Sequence, residues 1–214
     1  MLDIISHITY KKVNRTVYYE HILQNCKFQF WGLCCLDVLF ISNYKFRFFV
    51  RIYKKEFNEV IMIIREYKPI DCAIMARLFY DTVHTINVKD YTNEQINAWA
   101  TGNVDLESWN CSFLTNNTLI AEIDGKVVGF ADMDKKGYLD RLYVHRDFQR
   151  KGIASALVNE LERLAREDGL LNFETYASIT AKPFFEKQGY VVEAENKAIR
   201  NGITLVNYKM VKHC

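Results

Sequence analysis

An α/β (α+β) domain, a sheet flanked by helices, is the fold class this chain predicts, and three observations carry the prediction. Asp124-Gly125 lies between two β-favouring runs, Thr118 to Ile123 and Lys126 to Met133, a strong short-range signal for a hairpin. Tyr138 to Val144 is a third such run, and it passes through Gln149-Arg150-Lys151-Gly152-Ile153-Ala154 directly into an amphipathic helix. The order is then hairpin, strand, glycine turn, helix, strand, helix, strand.

The elements follow from local chemistry. Ile61 to Tyr67 predicts a first strand, stopped by Pro69, which biases Lys68 away from helix. Asp71 is placed to cap a helix through about Thr85, with Ile74, Met75, Leu78 and Phe79 recurring at three to four. Thr92-Asn93-Glu94-Gln95 is a capping-box pattern that opens a second, short helix to Trp99. Gly102 to Asn117 reads as loop-rich. Gly129, inside the second hairpin run, marks a bulge or a close backbone contact. Ile153 to Glu167 is a helix with Ile153, Leu157, Leu161 and Leu164 on one stripe, ending before Gly169. Leu171 to Tyr176, Tyr190 to Glu193 and Ile203 to Val211 complete the sheet. Glu160, Glu162, Arg163, Arg166 and Glu167 read as a solvated helix face with i,i+4 pairing.

The turn before Ile153 has a chemistry of its own. The first N–H groups of that helix lack internal partners and stand at the positive end of the dipole, which suits a pyrophosphate. Arg150 and Lys151 add charge, and Gly152 lets the chain approach a ligand where a Cβ would intrude. Neither G-x-x-x-x-G-K-S/T nor G-x-G-x-x-G occurs, which argues against an ATPase or a dinucleotide enzyme.

On these residues the chain resembles the GNAT superfamily of acetyl-CoA-dependent N-acetyltransferases. The family's pyrophosphate loop (Q or R, two residues, G, one residue, G or A) is matched by Gln149, Gly152 and Ala154. Tyr176 to Tyr190, with Ala181-Lys-Pro-Phe-Phe-Glu-Lys-Gln-Gly-Tyr190 at its end, resembles the helix that flanks the cofactor's thiol arm. With Arg200 to Met210 the likeness is nearest to the YafP-like branch, over about Met62 to Lys212.

The resemblance implies a mixed, mostly antiparallel sheet in which the parallel strands 138–144 and 171–176 splay apart. It implies acetyl-CoA in the resulting cleft as co-substrate, with backbone of Leu142, Tyr143 and Val144 pairing with pantetheine and a backbone N–H near Leu142 aimed at the thioester carbonyl. Gln149, Arg150, Lys151, Gly152, Ile153 and Ala154 would hold the pyrophosphate, and Ser178 stands where the family often has asparagine. Phe185 occupies the position that often carries a tyrosine as thiolate acid, so that assignment fails here. Asp140, sharing strand parity with Tyr138 and Leu142, is the candidate base, with a surface ion pair to Arg141 or Lys151 as the alternative; Asp132 is a weaker candidate. Tyr176 is the candidate acid, with a packed aromatic as its alternative.

The implied function is acetyl transfer from acetyl-CoA to a primary amine, on a small molecule or a peptide. The rival is a GNAT fold that binds acetyl-CoA without turnover. The acceptor itself is left to two loops, Thr101 to Asn117 and Asn196 to Gly202, and a clustered acidic rim is what a polycationic amine would require.

Composition narrows the rest. The chain has 214 residues, half of them hydrophobic, and a formal net charge of +2. That is core enough for one ordinary domain, and no bulk positive charge marks a nucleic-acid partner. The six cysteines and five histidines do not fall at metal-ligand spacings, so no metal site is expected. Free thiols in a cytoplasmic setting are the default. Sequence places no base beside Cys72 or Cys111, so neither is read as a nucleophile; oligomeric state stays open, a homodimer included.

Residues 1–61 differ from the rest, with Phe28, Phe30, Trp31, Phe40, Phe46, Phe48 and Phe49 crowding a stretch that fits neither period. The expectation is a leader of uncertain order ahead of a domain spanning 62–212, an upstream extension or an over-called start. Phe28 to Ile41 is broken by Asp37 and falls short of the ~20 residues of a membrane helix. Membrane contact, if any, would be interfacial, helped by Lys45, Arg47 and Arg51.

Overall fold

The computed structural model describes residues 51–53, by backbone alone, and residues 62–213; the apolar run Phe28 to Ile41 lies outside the described residues. The elements are β1 (Arg51–Tyr53), β2 (Met62–Glu66), α1 (Cys72–Ile86), α2 (Asn93–Trp99), α3 (Leu106–Thr115), β3 (Asn117–Ile123) and β4 (Lys126–Met133). After these come β5 (Tyr138–Val144), α4 (Ile153–Glu167), β6 (Asn172–Ser178), α5 (Lys182–Lys187), β7 (Val191–Arg200) and β8 (Ile203–His213).

The strands form one sheet in the order β1-β2-β3-β4-β5-β6-β8-β7. Every neighbouring pair is antiparallel except β5 and β6. β1 pairs with β2 through Arg51↔Ile64 to Tyr53↔Met62, so the sheet takes in three residues upstream of the expected boundary at Met62. Asp124 and Gly125 both have positive φ, the conformation a two-residue hairpin demands.

Alternation along the hairpin fills two cores. Leu119, Ala121 and Ala131 face α4, where Leu157 and Leu161 are fully buried. Ile120 and Phe130 face the other way, onto Met75 and Phe79 of α1 and Phe113 of α3. The sheet is therefore sandwiched between α4 on one face and α1 to α3 on the other. Gly129 shows both features expected of it: a Cβ there would stand 2.9 Å from Ile153 Cγ2 and 3.2 Å from Tyr143 O, and the β3–β4 register shifts beside it.

Three local expectations are corrected. Gly102 to Asn117 is not all loop, because Asp105 Oδ1 accepts the N–H groups of Glu107 and Ser108 and starts α3. Asp71 does not cap α1; its carboxylate takes Arg65 Nη1 and Nη2 at 2.7 and 2.9 Å and the Lys68 N–H at 2.9 Å. Glu160 and Glu162 pair as expected but are buried, because Arg163, Arg166 and, from β8, Lys212 close over them.

Candidate active site

β5 and β6 are paired only at Tyr138↔Glu174 and Leu139↔Thr175, with Thr175 Oγ1 donating to Leu139 O at 2.9 Å. Beyond these residues the two strands part. The far end of β6 is held by the connection between α1 and α2. The Tyr91 hydroxyl donates to Val206 O at 2.7 Å and accepts the Ile179 N–H at 2.9 Å. Thr180 Oγ1 donates to Asp90 at 2.6 Å and accepts from Asn87 Nδ2 at 3.1 Å. This clamp fastens the residues after β6 to β8 and to the α1–α2 connection through partners distant in sequence, which no local pattern marks.

The alternation of hydrogen bonds settles which backbone groups of β5 turn to the gap. His145 N–H donates to Val128 O at 2.8 Å, so two residues back Tyr143 is the one paired with Phe130 of β4. Leu142 and Val144 then turn their backbone groups away from β4, toward the parting strands. Val144 O is met there by Thr82 Oγ1 at 3.1 Å and Gln149 Nε2 at 2.6 Å. Tyr143 enters the site through its ring, which stands edge-on to Phe79 at 4.9 Å. Burial raises its hydroxyl well above the ordinary tyrosine range.

At the mouth of the gap, Arg150 and Gly152 have φ of 62° and 84°. The resulting turn delivers the first turn of α4. Among the described residues no acceptor meets the N–H groups of Gly152, Ile153, Ala154 or Ser155, and a Cβ at Gly152 would enter open space. This cradle fits a diphosphate. Lys151 Nζ rests on Asp147 O at 3.1 Å and over the Phe148 ring, while Gln149 is committed to Val144. His145 is partly buried, its Nδ1 accepting the Asp147 N–H; burial and then Lys126 lower its pKa.

On the other side of the gap lies a cavity of about 450 Å³. Tyr138, Asp140, Arg141 and Tyr143 of β5 line it, with Tyr176 and Ser178 of β6 opposite. Ser178 Oγ also accepts the Ala181 N–H at 3.1 Å. Thr101, Asn103 and Asp105 ahead of α3 and Ala198 and Arg200 at the end of β7 also reach it. Trp99 and Trp109 supply ring walls.

Strand parity alone misplaces these groups. Between Asp132↔Arg141 and Met133↔Leu139 the register slips, leaving Asp140 as an extra residue, a bulge. Hence Leu139 and Leu142 face the α4 core while Tyr138, Arg141 and Tyr143 face the cavity. Asp140 reaches the cavity because of the bulge, and Leu142 does not share its side. Asp140 is 43% exposed and 3.4 Å from Arg141 Nη2, so the ion pair considered as its alternative role also forms.

Asp132 is the reverse case. It is 0% exposed and held by Arg141 and by Asn116 Nδ2 at 2.7 Å. Burial pushes its carboxyl up, against the pull of Arg141 and Asn116. Tyr176 is exposed beside the Tyr138 ring at 6.1 Å between centroids. Phe185 is only 2% exposed and packs on Tyr190 and Phe184. Among the described residues no cluster of three His, Cys, Asp or Glu could hold a metal ion, and no helix is long and apolar enough to cross a membrane.

A model of the "Acetyltransferase (GNAT) domain" family matches residues 87–212. The chain belongs to the GNAT acetyltransferase family. The uncharacterized N-acetyltransferase YafP of Escherichia coli (strain K12) is 32% identical over 147 residues, covering 69% of this chain and 93% of that protein. A solved GCN5-related N-acetyltransferase from Rhodopseudomonas palustris, 35% identical, superposes with a TM-score of 0.68 over 71% of this chain and 94% of the other. The PaiA N-acetyltransferase of Thermoplasma acidophilum, solved with coenzyme A, shares the fold at 20% identity, with a TM-score of 0.60 over 72% of this chain and 99% of its own. GNAT membership accounts for the single parallel pair in an otherwise antiparallel sheet.

Proposed function

We propose that this GNAT domain transfers the acetyl group of acetyl-CoA to the primary amine of an acceptor by direct attack on the thioester. The observation that carries the proposal is the gap between β5 and β6, which opens onto a cradle of unmet N–H groups at one end and a lined cavity at the other. The cradle from Gln149 to Ala154 takes the pyrophosphate, with Arg150 and Lys151 supplying charge. Pantetheine lies along β5 as an added strand, paired with the backbone of Leu142 and the N–H of Val144, while Tyr143 and Ser178 flank its acetyl end. The Leu142 N–H stabilises the oxyanion of the tetrahedral intermediate, a contribution of about 3 kcal/mol for such donors.

Attack requires a neutral amine, because an alkylammonium has no lone pair to give. Asp140, exposed on the bulge, takes that proton directly or through water. The nitrogen–carbon bond forms, the carbon–sulfur bond breaks, and the departing thiolate receives a proton from Tyr176 or from water. The test is release of free thiol from acetyl-CoA on addition of amines to the full chain. Turnover with at least one primary amine supports the proposal.

A second function has one specific feature in its favour: buried Phe185 offers no proton to a thiolate. On that basis the domain would bind acetyl-CoA without turnover. Tight binding of acetyl-CoA with no thiol released across a broad amine panel would select this alternative.

A further inference from the structure

Seven aromatic side chains line the cavity beside the gap, and its volume of about 450 Å³ is that of a small-molecule site. Phe79, Trp109 and Tyr143 form a continuous wall, with Trp109 5.4 Å and Tyr143 4.9 Å from the Phe79 ring. The charge pattern is sparse. Asp105 and Asp140 face the cavity, but Asp105 already caps α3, and two guanidiniums, Arg141 and Arg200, face the same space. This is not the acidic rim a polycation requires.

One side of the cavity is closed by the hairpin. Gln95 Nε2 donates to Thr204 O at 2.9 Å and Asn201 Nδ2 to Ala98 O at 3.3 Å, stitching the β7–β8 hairpin to α2 across one side. From this lining we infer that the acceptor is a compact arylalkyl primary amine. Its ring stacks among Phe79, Trp99, Trp109 and Tyr143, and its amino group is directed to Asp140. Aromatic faces suit both halves of such a molecule, since they bury an apolar ring and attract a nearby ammonium. The inference rests on the acetyl-transfer function proposed above, and it is tested by binding so that the two fail separately.

Full-length protein holding coenzyme A is titrated with 2-phenylethylamine, spermidine or an alanine-initial hexapeptide, following the fluorescence of Trp99 and Trp109. Binding of 2-phenylethylamine at least tenfold tighter than of either rival is expected. Ala198 lines the cavity beside Leu205 and itself belongs to neither core. Ala198→Trp should fill the cavity and weaken that binding tenfold or more by calorimetry, while coenzyme A affinity stays unchanged. Equal or tighter binding of spermidine or of the peptide overturns the inference, as does an Ala198→Trp variant that binds 2-phenylethylamine like the parent. Selective binding of 2-phenylethylamine without thiol release from acetyl-CoA would sustain the aryl site and sink the transfer reaction instead.

Discussion

Arg141 grips Asp132 with two nitrogens, Nε at 2.8 Å and Nη2 at 2.7 Å, and Arg141 itself lines the cavity beside the gap. The guanidinium is further packed on the Phe113 ring at 4.1 Å and the Trp109 ring at 5.3 Å, with Ser112 Oγ as a third acceptor. One residue thus joins β4, β5 and α3 and fixes the bulge that displays Asp140.

Arg141→Met should cost about 3–5 kcal/mol, because it strands a buried carboxylate with Asn116 alone. Asp132→Asn combined with Arg141→Met should recover most of that loss, since no buried charge remains unmatched. Burial already pushes the Asp132 carboxyl up, and loss of the arginine removes the main opposing pull. A carboxyl whose folded pKa is raised contributes stability at acid pH that is lost as pH rises through that value. The deficit of Arg141→Met should therefore be smallest near pH 4 and grow toward neutrality. Urea unfolding of the three variants across pH checks this; a pH-independent loss below 1 kcal/mol would refute it.

Asp140→Asn should lower kcat about a hundredfold or more while changing acetyl-CoA affinity little, as removal of a general base does. Tyr138 serves as the control on the same wall. Burial pushes its hydroxyl up to about 12, so it stays protonated throughout an ordinary assay range. Tyr138→Phe should leave the shape of the pH–rate profile intact. An unchanged kcat in Asp140→Asn would remove Asp140 from the mechanism.

Much of this architecture is written in short-range signals. Thr92 and Gln95 exchange both bonds of the capping box, Asp124-Gly125 makes the hairpin, and Gly152 takes the positive φ that starts α4. Each depends on residues within a few positions, so sequence exposes them. What was hidden depends on distant partners. α3 has little periodicity of its own and is fixed by the Asp105 cap and by Trp109 and Phe113 packing on Phe79 and Phe130. The burial of Glu162 needs Lys212, fifty residues away along the chain, at 2.7 Å. The bulge at Asp140 follows from register between two strands, which parity along one strand cannot reveal. Parity along β5 alone would put Asp140 on the side of Leu142, and the register with β4 breaks that parity.

Gly152→Trp should separate binding from folding. The backbone there sits at φ 84°, and a Cβ meets nothing within 4 Å, so the protein itself accommodates the new side chain. The fold pays only the left-handed strain, about 1–2 kcal/mol. The indole occupies the space in front of the unmet N–H groups of α4, and acetyl-CoA affinity should fall by two orders of magnitude or more in calorimetric titration. Undiminished affinity in a folded variant would move the pyrophosphate away from this turn.

Tyr91→Phe tests whether the splay of β5 and β6 is held open from behind. The hydroxyl is the joint between Val206 O and the Ile179 N–H, and its loss leaves both groups without that partner in a part-buried setting. A cost of about 1–3 kcal/mol is expected, with the ring still filling its place. Burial raises the Tyr91 pKa, so the joint persists in its protonated form as pH climbs past the ordinary tyrosine value. An unfolded tyrosine ionises near pH 10, and folding is then opposed until the native hydroxyl ionises too. Stability of the parent protein should accordingly decline above about pH 10, and Tyr91→Phe should lose less over the same interval. With the clamp slackened, the end of β6 is free to close toward β5, which narrows the space for pantetheine and acceptor together. KM should rise for both substrates, with kcat at saturation changed less. A rise confined to one substrate would show that the clamp positions a single wall of the cleft.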